Sequence, residues 1–294
     1  IGVEMENYYF TARCYEALKC GLPNATISDG SLLVNWLRLI KSDVEIEMIK
    51  RAAKISEIAM TKALEMVDVG VRECDVAAEI FRSQIRGTNE FGGDYPAIVP
   101  LLPSGERSAT PHLTWTDDPY ESGDIVTIEL AGCYKRYHSP LARTISLGKP
   151  ADKIQILSDV VVEGLNACLE MIKPGIASEE IESTFKQTIS KFGLTKDSRL
   201  GYSMGLNYPP DWGEHTVSIR SGDKTILKPN MTFHLIPGIW LDDYGFEASE
   251  SIRITENGCE TFASLPRHLF VKEQFLPLIN SNDFPSDIGE IEEV

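Results

Sequence analysis

Long apolar runs are missing from this sequence. No stretch of 18 or more consecutive apolar residues occurs, so nothing in it reads as a membrane-spanning helix. Residues 1–10 lack the basic start and apolar stretch of a secretory leader. Paired cysteines are missing as well. The six that occur (Cys14, Cys20, Cys74, Cys133, Cys168 and Cys259) are scattered, with no CxxC pair and no zinc-type spacing. That usage suits reduced thiols and sets the expectation of a cytoplasmic protein without a disulfide framework. Basic clusters are absent too. With 28 Lys and Arg against 44 Asp and Glu, the net charge of −16 repels the phosphates of nucleic acid and of anionic lipid. Nucleic-acid and membrane partners are therefore not expected, whereas a cationic small molecule would be drawn in.

What is present suffices for a large core. The 294 residues are 43% hydrophobic, which permits folding without covalent staples. Residues 1–40, opening on Ile1-Gly2-Val3-Glu4, read as the end of an N-terminal domain plus a linker. At Ser42-Asp43-Val44-Glu45 a capping box starts a long amphipathic helix, with Ile46, Ile49, Ala53, Met60, Leu64 and Val67 recurring near the 3.6 period up to Gly70. A second helix is expected over residues 74–85. Strands are expected over 95–102, 124–131 and 142–147. Two further helices, over 152–172 and 178–192, flank the turn Lys173-Pro174-Gly175, and a strand pair is expected over 231–241 and 245–255. Helix-helix-strand-strand thus occurs twice. This predicts an α/β (α+β) domain over residues 41–272, with two related halves on a shared sheet and the active site between them. Residues 273–294 read as a frayed acidic tail.

Several residues do not suit their surroundings. In Gly123-Asp124-Ile125-Val126-Thr127-Ile128-Glu129-Leu130-Ala131, strand alternation puts Glu129 on one face with Ile125 and Thr127, inside an almost wholly apolar run. A carboxylate there costs on the order of several kcal/mol unless it is paired or protonated, and that expense points to chemistry. The plain alternative is pairing with Arg143 on the next strand. His112, in a turn before this strand, can project over the same face. His234 lies within the apolar Met231-Thr232-Phe233-His234-Leu235-Ile236, where a core histidine and a catalytic one are both consistent. Glu247 and Glu250 have opposite parity, so alternation turns only one of them inward. Residues 202–215 read as a long loop rich in aromatics, including Tyr202, Tyr208 and Trp212, fit either to pack itself down or to lay rings against a cation.

In this order the motifs resemble the pita-bread superfamily (metallopeptidase family M24), which includes methionine aminopeptidase, proline dipeptidase and creatinase. The anchors are Lys41-Ser42 with Glu45, Gly123-Asp124-Ile125-Val126, Ala142-Arg143-Thr144, Leu227-Lys228-Pro229-Asn230-Met231, Pro237-Gly238 and Thr255-Glu256-Asn257-Gly258. The resemblance implies the pita-bread fold, with a curved and mainly antiparallel sheet. Peptidases of this superfamily hold two metal ions with two Asp, one His and two Glu. Here those positions carry Glu129, Pro140, Tyr202, Ile236 and Ser249. The resemblance therefore implies no metal site and no cofactor, and a metal-dependent Xaa-Pro peptidase is disfavoured.

A closer likeness is to the creatinase-like branch and, within it, the ectoine hydrolases. It is carried by Asn7-Tyr8-Tyr9-Phe10, Leu33-Val34-Asn35-Trp36, Arg136-Tyr137-His138-Ser139-Pro140-Leu141, Tyr208-Pro209-Pro210-Asp211-Trp212-Gly213-Glu214 and Thr232-Phe233-His234. That likeness implies a metal-independent hydrolase acting on the cyclic amidine ectoine, and a homodimer. Glu129 would attack the amidine carbon or activate water, and His112 and His234 would move protons. Glu247 or Glu250 would hold the amidinium, with Tyr202, Trp212, Tyr137 and Glu214 shaping the pocket. Other readings are a creatinase-like amidinohydrolase with a different guanidine or amidine, and a pseudopeptidase that only binds ligands.

Overall fold

The structure, a computed structural model, describes residues 1–273, so the acidic tail expected over 273–294 lies outside the described residues from 274 onward. The leading segment holds β1 (Gly2–Val3), α1 (Ala12–Gly21), β2 (Ser28–Asp29) and α2 (Leu33–Leu37), with β1 and β2 paired in parallel. The first half then comprises α3 (Asp43–Met66), α4 (Glu73–Arg86), β3 (Ile125–Tyr134) and β4 (Tyr137–Leu147). The second half begins with α5 (Asp152–Met171), α6 (Ser178–Ser190), β5 (Gly201–Met204), β6 (Gly213–Ile219) and β7 (Thr232–Leu235). After these come the short pair β8 (Ile239–Trp240) and β9 (Gly245–Phe246), then β10 (Glu250–Ile254), β11 (Cys259–Thr261) and β12 (Phe270–Lys272). This is the pita-bread arrangement. Among the described residues no helix is long and apolar enough to cross a membrane.

The capping box forms as read from the sequence. Ser42 N donates to Glu45 Oε2 at 2.8 Å and Glu45 N donates to Ser42 Oγ at 3.4 Å, satisfying two free donors of the first turn of α3. Helix α3 lies directly on β3. A Cβ at Gly132 would sit 2.2 Å from Ala52 O, so only glycine permits that approach. The apolar faces of α3, α4, β3 and β4 bury Met60, Val76, Ile80, Val126, Ile128 and Leu130 in one core. Helices α5 and α6 bury Val161, Leu165, Phe185 and Ile189 with Phe233, Leu235 and Ile252 in a second. A small third cluster of Ala97, Ala131, Tyr202 and Trp212 fills the space between them.

The sheets run in the orders β12-β4-β3 and β11-β10-β7-β5-β6. They are stitched together between β4 and residues 247–251: Ala142 N donates to Ser249 Oγ, Thr144 Oγ1 donates to Glu247 O, and Ser251 Oγ donates to Pro140 O, at 2.7, 2.8 and 2.6 Å. In the same ladder Glu129 stands opposite Ala142. This seam brings Glu129 of the first half to the carboxylates of the second.

Three expectations about elements are corrected. Residues 95–102 form no strand, because Pro96, Pro100 and Pro103 remove ladder donors; only a bridge between Leu101 and Glu129 remains. Residues 202–215 are not one loop. Tyr202 lies on β5 and Gly213 opens β6, with Pro209 and Pro210 confined to the connection between them. The expected strand over 231–241 ends at Leu235, two residues before Pro237.

Candidate functional site

A cavity of about 540 Å³ opens where the two halves meet. Of the residues singled out from sequence, His112, Glu129, Tyr202, Trp212 and Glu247 line it. Strand alternation has carried Glu129 inward as expected, leaving it 4% exposed, yet Arg143 is not its partner. The near group is His112, whose Nε2 lies 3.8 Å from Glu129 Oε2. Burial, and then the charge of Glu247, holds the Glu129 carboxyl well above the usual carboxylate range. Glu247 is pushed up to about 7 by burial, against the opposing pull of Lys196. Burial therefore favours the protonated form of both acids, with Lys196 the charge that opposes it at Glu247.

His112 has a side chain 65% open to solvent and a left-handed backbone, with φ at +64°. Desolvation, followed by the charges of Arg199 and Lys196, lowers its pKa, so at neutral pH the ring is a free base. Its position fits a proton shuttle between Glu129 and solvent.

His234 stands behind the wall rather than in it. Strand pairing sets it opposite Tyr202. Its Nδ1 lies 2.9 Å from Tyr202 Oη and its Nε2 lies 2.7 Å from Ser249 Oγ. Trp212 Nε1 donates to Tyr202 Oη at 2.5 Å. Burial drives the His234 pKa down to about 3, so the ring is neutral, and both nitrogens are occupied by protein groups.

Three residues expected to touch substrate do not reach this cavity. Glu250 is fully buried on the far side of the seam, where its Oε1 accepts from Arg143 Nη2 at 2.7 Å and Arg267 Nε at 3.0 Å. Of the two acids of opposite parity, the inward one is Glu247. Tyr137 donates its hydroxyl to Glu45 Oε1 at 2.9 Å. Glu214 accepts from Lys41 Nζ at 2.6 Å. The buried Lys41–Glu214 pair ties the leading segment to β6, and a Cβ at Gly205 would strike it at 2.2 Å. Each of the three is taken up by a structural partner, which is why none projects into the cavity.

The sequence reading missed Lys196, Arg199, Asp211 and Trp240, all of which line the cavity. The Arg199 guanidinium lies 4.2 Å from the centre of the Tyr202 ring. Lys196 Nζ donates to Gly238 O at 2.7 Å and to Ser198 Oγ at 2.9 Å, and burial lowers its pKa to about 8. Asp211 Oδ2 is 3.1 Å from His215 Nε2. The local signal for Arg199 was its place two residues before a strand bearing Tyr202. That position reads equally as an exposed loop charge until the partner half is in place.

The family model of metallopeptidase family M24 matches residues 47–258. The chain belongs to that family. As an M24 member it is a hydrolase. It is 46% identical to the "Ectoine hydrolase" of Halomonas elongata, over 92% of this chain and 70% of that protein. It is 33% identical to the "Xaa-Pro dipeptidase" of Pyrococcus furiosus, over 81% of this chain and 66% of that protein. Among solved M24 structures, an X-Pro aminopeptidase from Thermotoga maritima superposes with a TM-score of 0.82 at 26% identity, covering 92% of this chain and 74% of that one. A prolidase from Pyrococcus horikoshii gives 0.82 at 29% identity, covering 92% and 75%.

The family name implies a metal, and the side chains at the corresponding positions do not fit one. Pro140 and Ile236 offer no donor, while Tyr202 and Ser249 are both bonded to His234. Among the described residues no group of three or more His, Cys, Asp or Glu side chains is arranged to hold an ion. A pair of divalent ions needs hard, charged ligands at those points, and here a neutral hydrogen-bonded line stands instead.

Proposed function

We propose that this protein opens the cyclic amidine ring of ectoine by hydrolysis to N-acetyl-L-2,4-diaminobutyrate, using carboxylates and an imidazole and no metal ion. The observation that carries the reading is the pair of buried, cation-poor acids Glu129 and Glu247 on a cavity wall that also bears Arg199 and Lys196. Such a wall suits a ligand with a planar cation at one end and a carboxylate at the other. The amidinium supplies the positive charge that the two acids lack and favours their ionised forms, and Arg199 meets the carboxylate. The 46% likeness to an ectoine hydrolase supports the same substrate.

Glu129 then attacks the amidine carbon directly or activates the water that does so. In sum one water adds: its oxygen becomes the amide oxygen on that carbon, one ring C–N bond breaks, and the departing nitrogen takes a proton. His112 moves that proton, and Glu247 holds the amidinium during attack.

The test is incubation of the chelator-treated protein with ectoine, with creatine, and with an Xaa-Pro dipeptide, each with and without manganese, reading products by mass spectrometry. N-acetyl-2,4-diaminobutyrate from ectoine, unchanged by manganese, is expected. Creatine cleavage alone would transfer the reading to another amidinohydrolase. Manganese-dependent dipeptide cleavage would overturn the metal-free reading, and silence on all three would leave a ligand-binding role.

A further inference from the structure

Trp212, Tyr202, His234 and Ser249 form a line of buried groups along the seam, and counting its hydrogens gives a direction. Trp212 Nε1, a donor only, gives its hydrogen to Tyr202 Oη at one end. The Ala142 backbone N–H, also a donor only, gives its hydrogen to Ser249 Oγ at 2.7 Å at the other. Two bonds lie between, Tyr202 Oη to His234 Nδ1 and His234 Nε2 to Ser249 Oγ. A neutral imidazole brings one N–H to share between them.

Ser249 is fully buried, and among the described residues its hydroxyl meets only Ala142 N and His234 Nε2. Were His234 to donate from Nε2, the Ser249 hydrogen would have no acceptor, at a cost of about 1–3 kcal/mol. Ser249 therefore donates to Nε2, and the single hydrogen of His234 sits on Nδ1 and goes to Tyr202 Oη. The Tyr202 oxygen thus receives two hydrogens, from Trp212 and His234, and its own hydrogen has no acceptor along the line. Tyr202 is a lining residue of the cavity and Ser249 is not, so a hydrogen left without a partner on the line costs less at Tyr202, where an entering group can accept it, than at Ser249.

We propose that Tyr202 is a hydrogen-bond donor of the site, aimed at the oxygen that hydrolysis places on the attacked carbon, with His234 as the positioning residue that keeps the Tyr202 hydrogen free. The choice of acceptor rests on the hydrolytic reading above; the direction of the line does not. Burial and the charge of Glu129 hold the Tyr202 phenol far above its ordinary pKa, so the hydrogen stays on the oxygen at any working pH. Two residues at positions where peptidases of this scaffold carry metal ligands, Tyr202 and Ser249, would then serve an electrophilic role through hydrogen bonds.

The direct test is a long-range proton–nitrogen NMR spectrum of the whole chain labelled with 15N-histidine, the His234 signals being assigned by their loss in His234→Asn. A hydrogen on Nδ1 and a bare Nε2 are expected between pH 6 and 8; a hydrogen on Nε2 would overturn the proposal. The second arm is Tyr202→Phe, which keeps the ring and loses only the hydroxyl. Its kcat for ectoine should fall about 100- to 1,000-fold with KM nearly unchanged, as for loss of one oxyanion donor. An unchanged kcat, or a rise in KM alone, would remove Tyr202 from that role. If the wild type does not turn over ectoine, the proposed substrate fails while the NMR result still decides the direction of the line.

Discussion

Glu247, in the break between β9 and β10, and Glu250, which opens β10, lie three residues apart, both almost fully buried, and they have opposite fates. Glu250 faces Arg143 and Arg267, with N–O distances of 2.7 and 3.0 Å. Glu247 faces the cavity, with Lys196 as its compensating charge through space rather than in an ion pair. Burial raises the pKa of both, but at Glu250 two guanidinium groups pull the other way and at Glu247 a single ammonium does. A buried carboxylate that finds its cation within the fold is a joint. One left short of a cation is, in the proposed reading, a receptor, and Glu129 belongs with it.

The largest expected effect separates these roles at once. Glu129→Gln should lower turnover of ectoine by a factor of about 1,000 or more, as loss of a nucleophile or base does, while the melting temperature holds or rises because an uncompensated acid has gone. Steady-state rates beside thermal melts check this, and a near-normal rate would take Glu129 out of the mechanism. Glu250→Gln should do the reverse. It leaves Arg143 buried without the carboxylate that compensates its charge, so urea unfolding should show a loss of about 3–5 kcal/mol while the folded fraction keeps its kcat. Equal losses of stability in the two variants would dissolve the distinction.

This contrast was only half legible in the sequence. An acid inside an apolar strand marked Glu129, and the motif order marked the fold. Parity showed that one of Glu247 and Glu250 faces inward, but the choice is made by Arg143, more than 100 residues away on the neighbouring sheet. Tyr137 and Glu214 sit in stretches that resemble the ectoine-hydrolase branch, yet Glu45 and Lys41 claim them, and no local pattern reveals such partners. Arg199 and Lys196 went unnoticed for the converse reason: a charged loop acquires meaning only once the first half closes over it. Prolines at 96, 100 and 103 were visible and should have outweighed the apolar run they interrupt.

A smaller effect sharpens the comparison through pH. The folded protein holds a proton on Glu247 up to about pH 7, whereas in the unfolded chain the group releases it near 4.5. The native state therefore binds more protons in that window, and its stability falls as pH rises through it, by about 3 kcal/mol at most. Glu247→Gln should flatten that part of the curve of melting temperature against pH. A variant with the same slope as the wild type would show that Glu247 is already ionised and compensated.

The most direct test of the central claim, that these acids await a cationic substrate, is calorimetry of ectoine binding to Glu129→Gln, which retains Glu247. Titrations near pH 6.5 in buffers of different ionisation enthalpy count the protons exchanged. The account predicts release, approaching one proton per site, as the amidinium converts Glu247 to its charged form. Heats that do not depend on the buffer, or that report proton uptake, would contradict it.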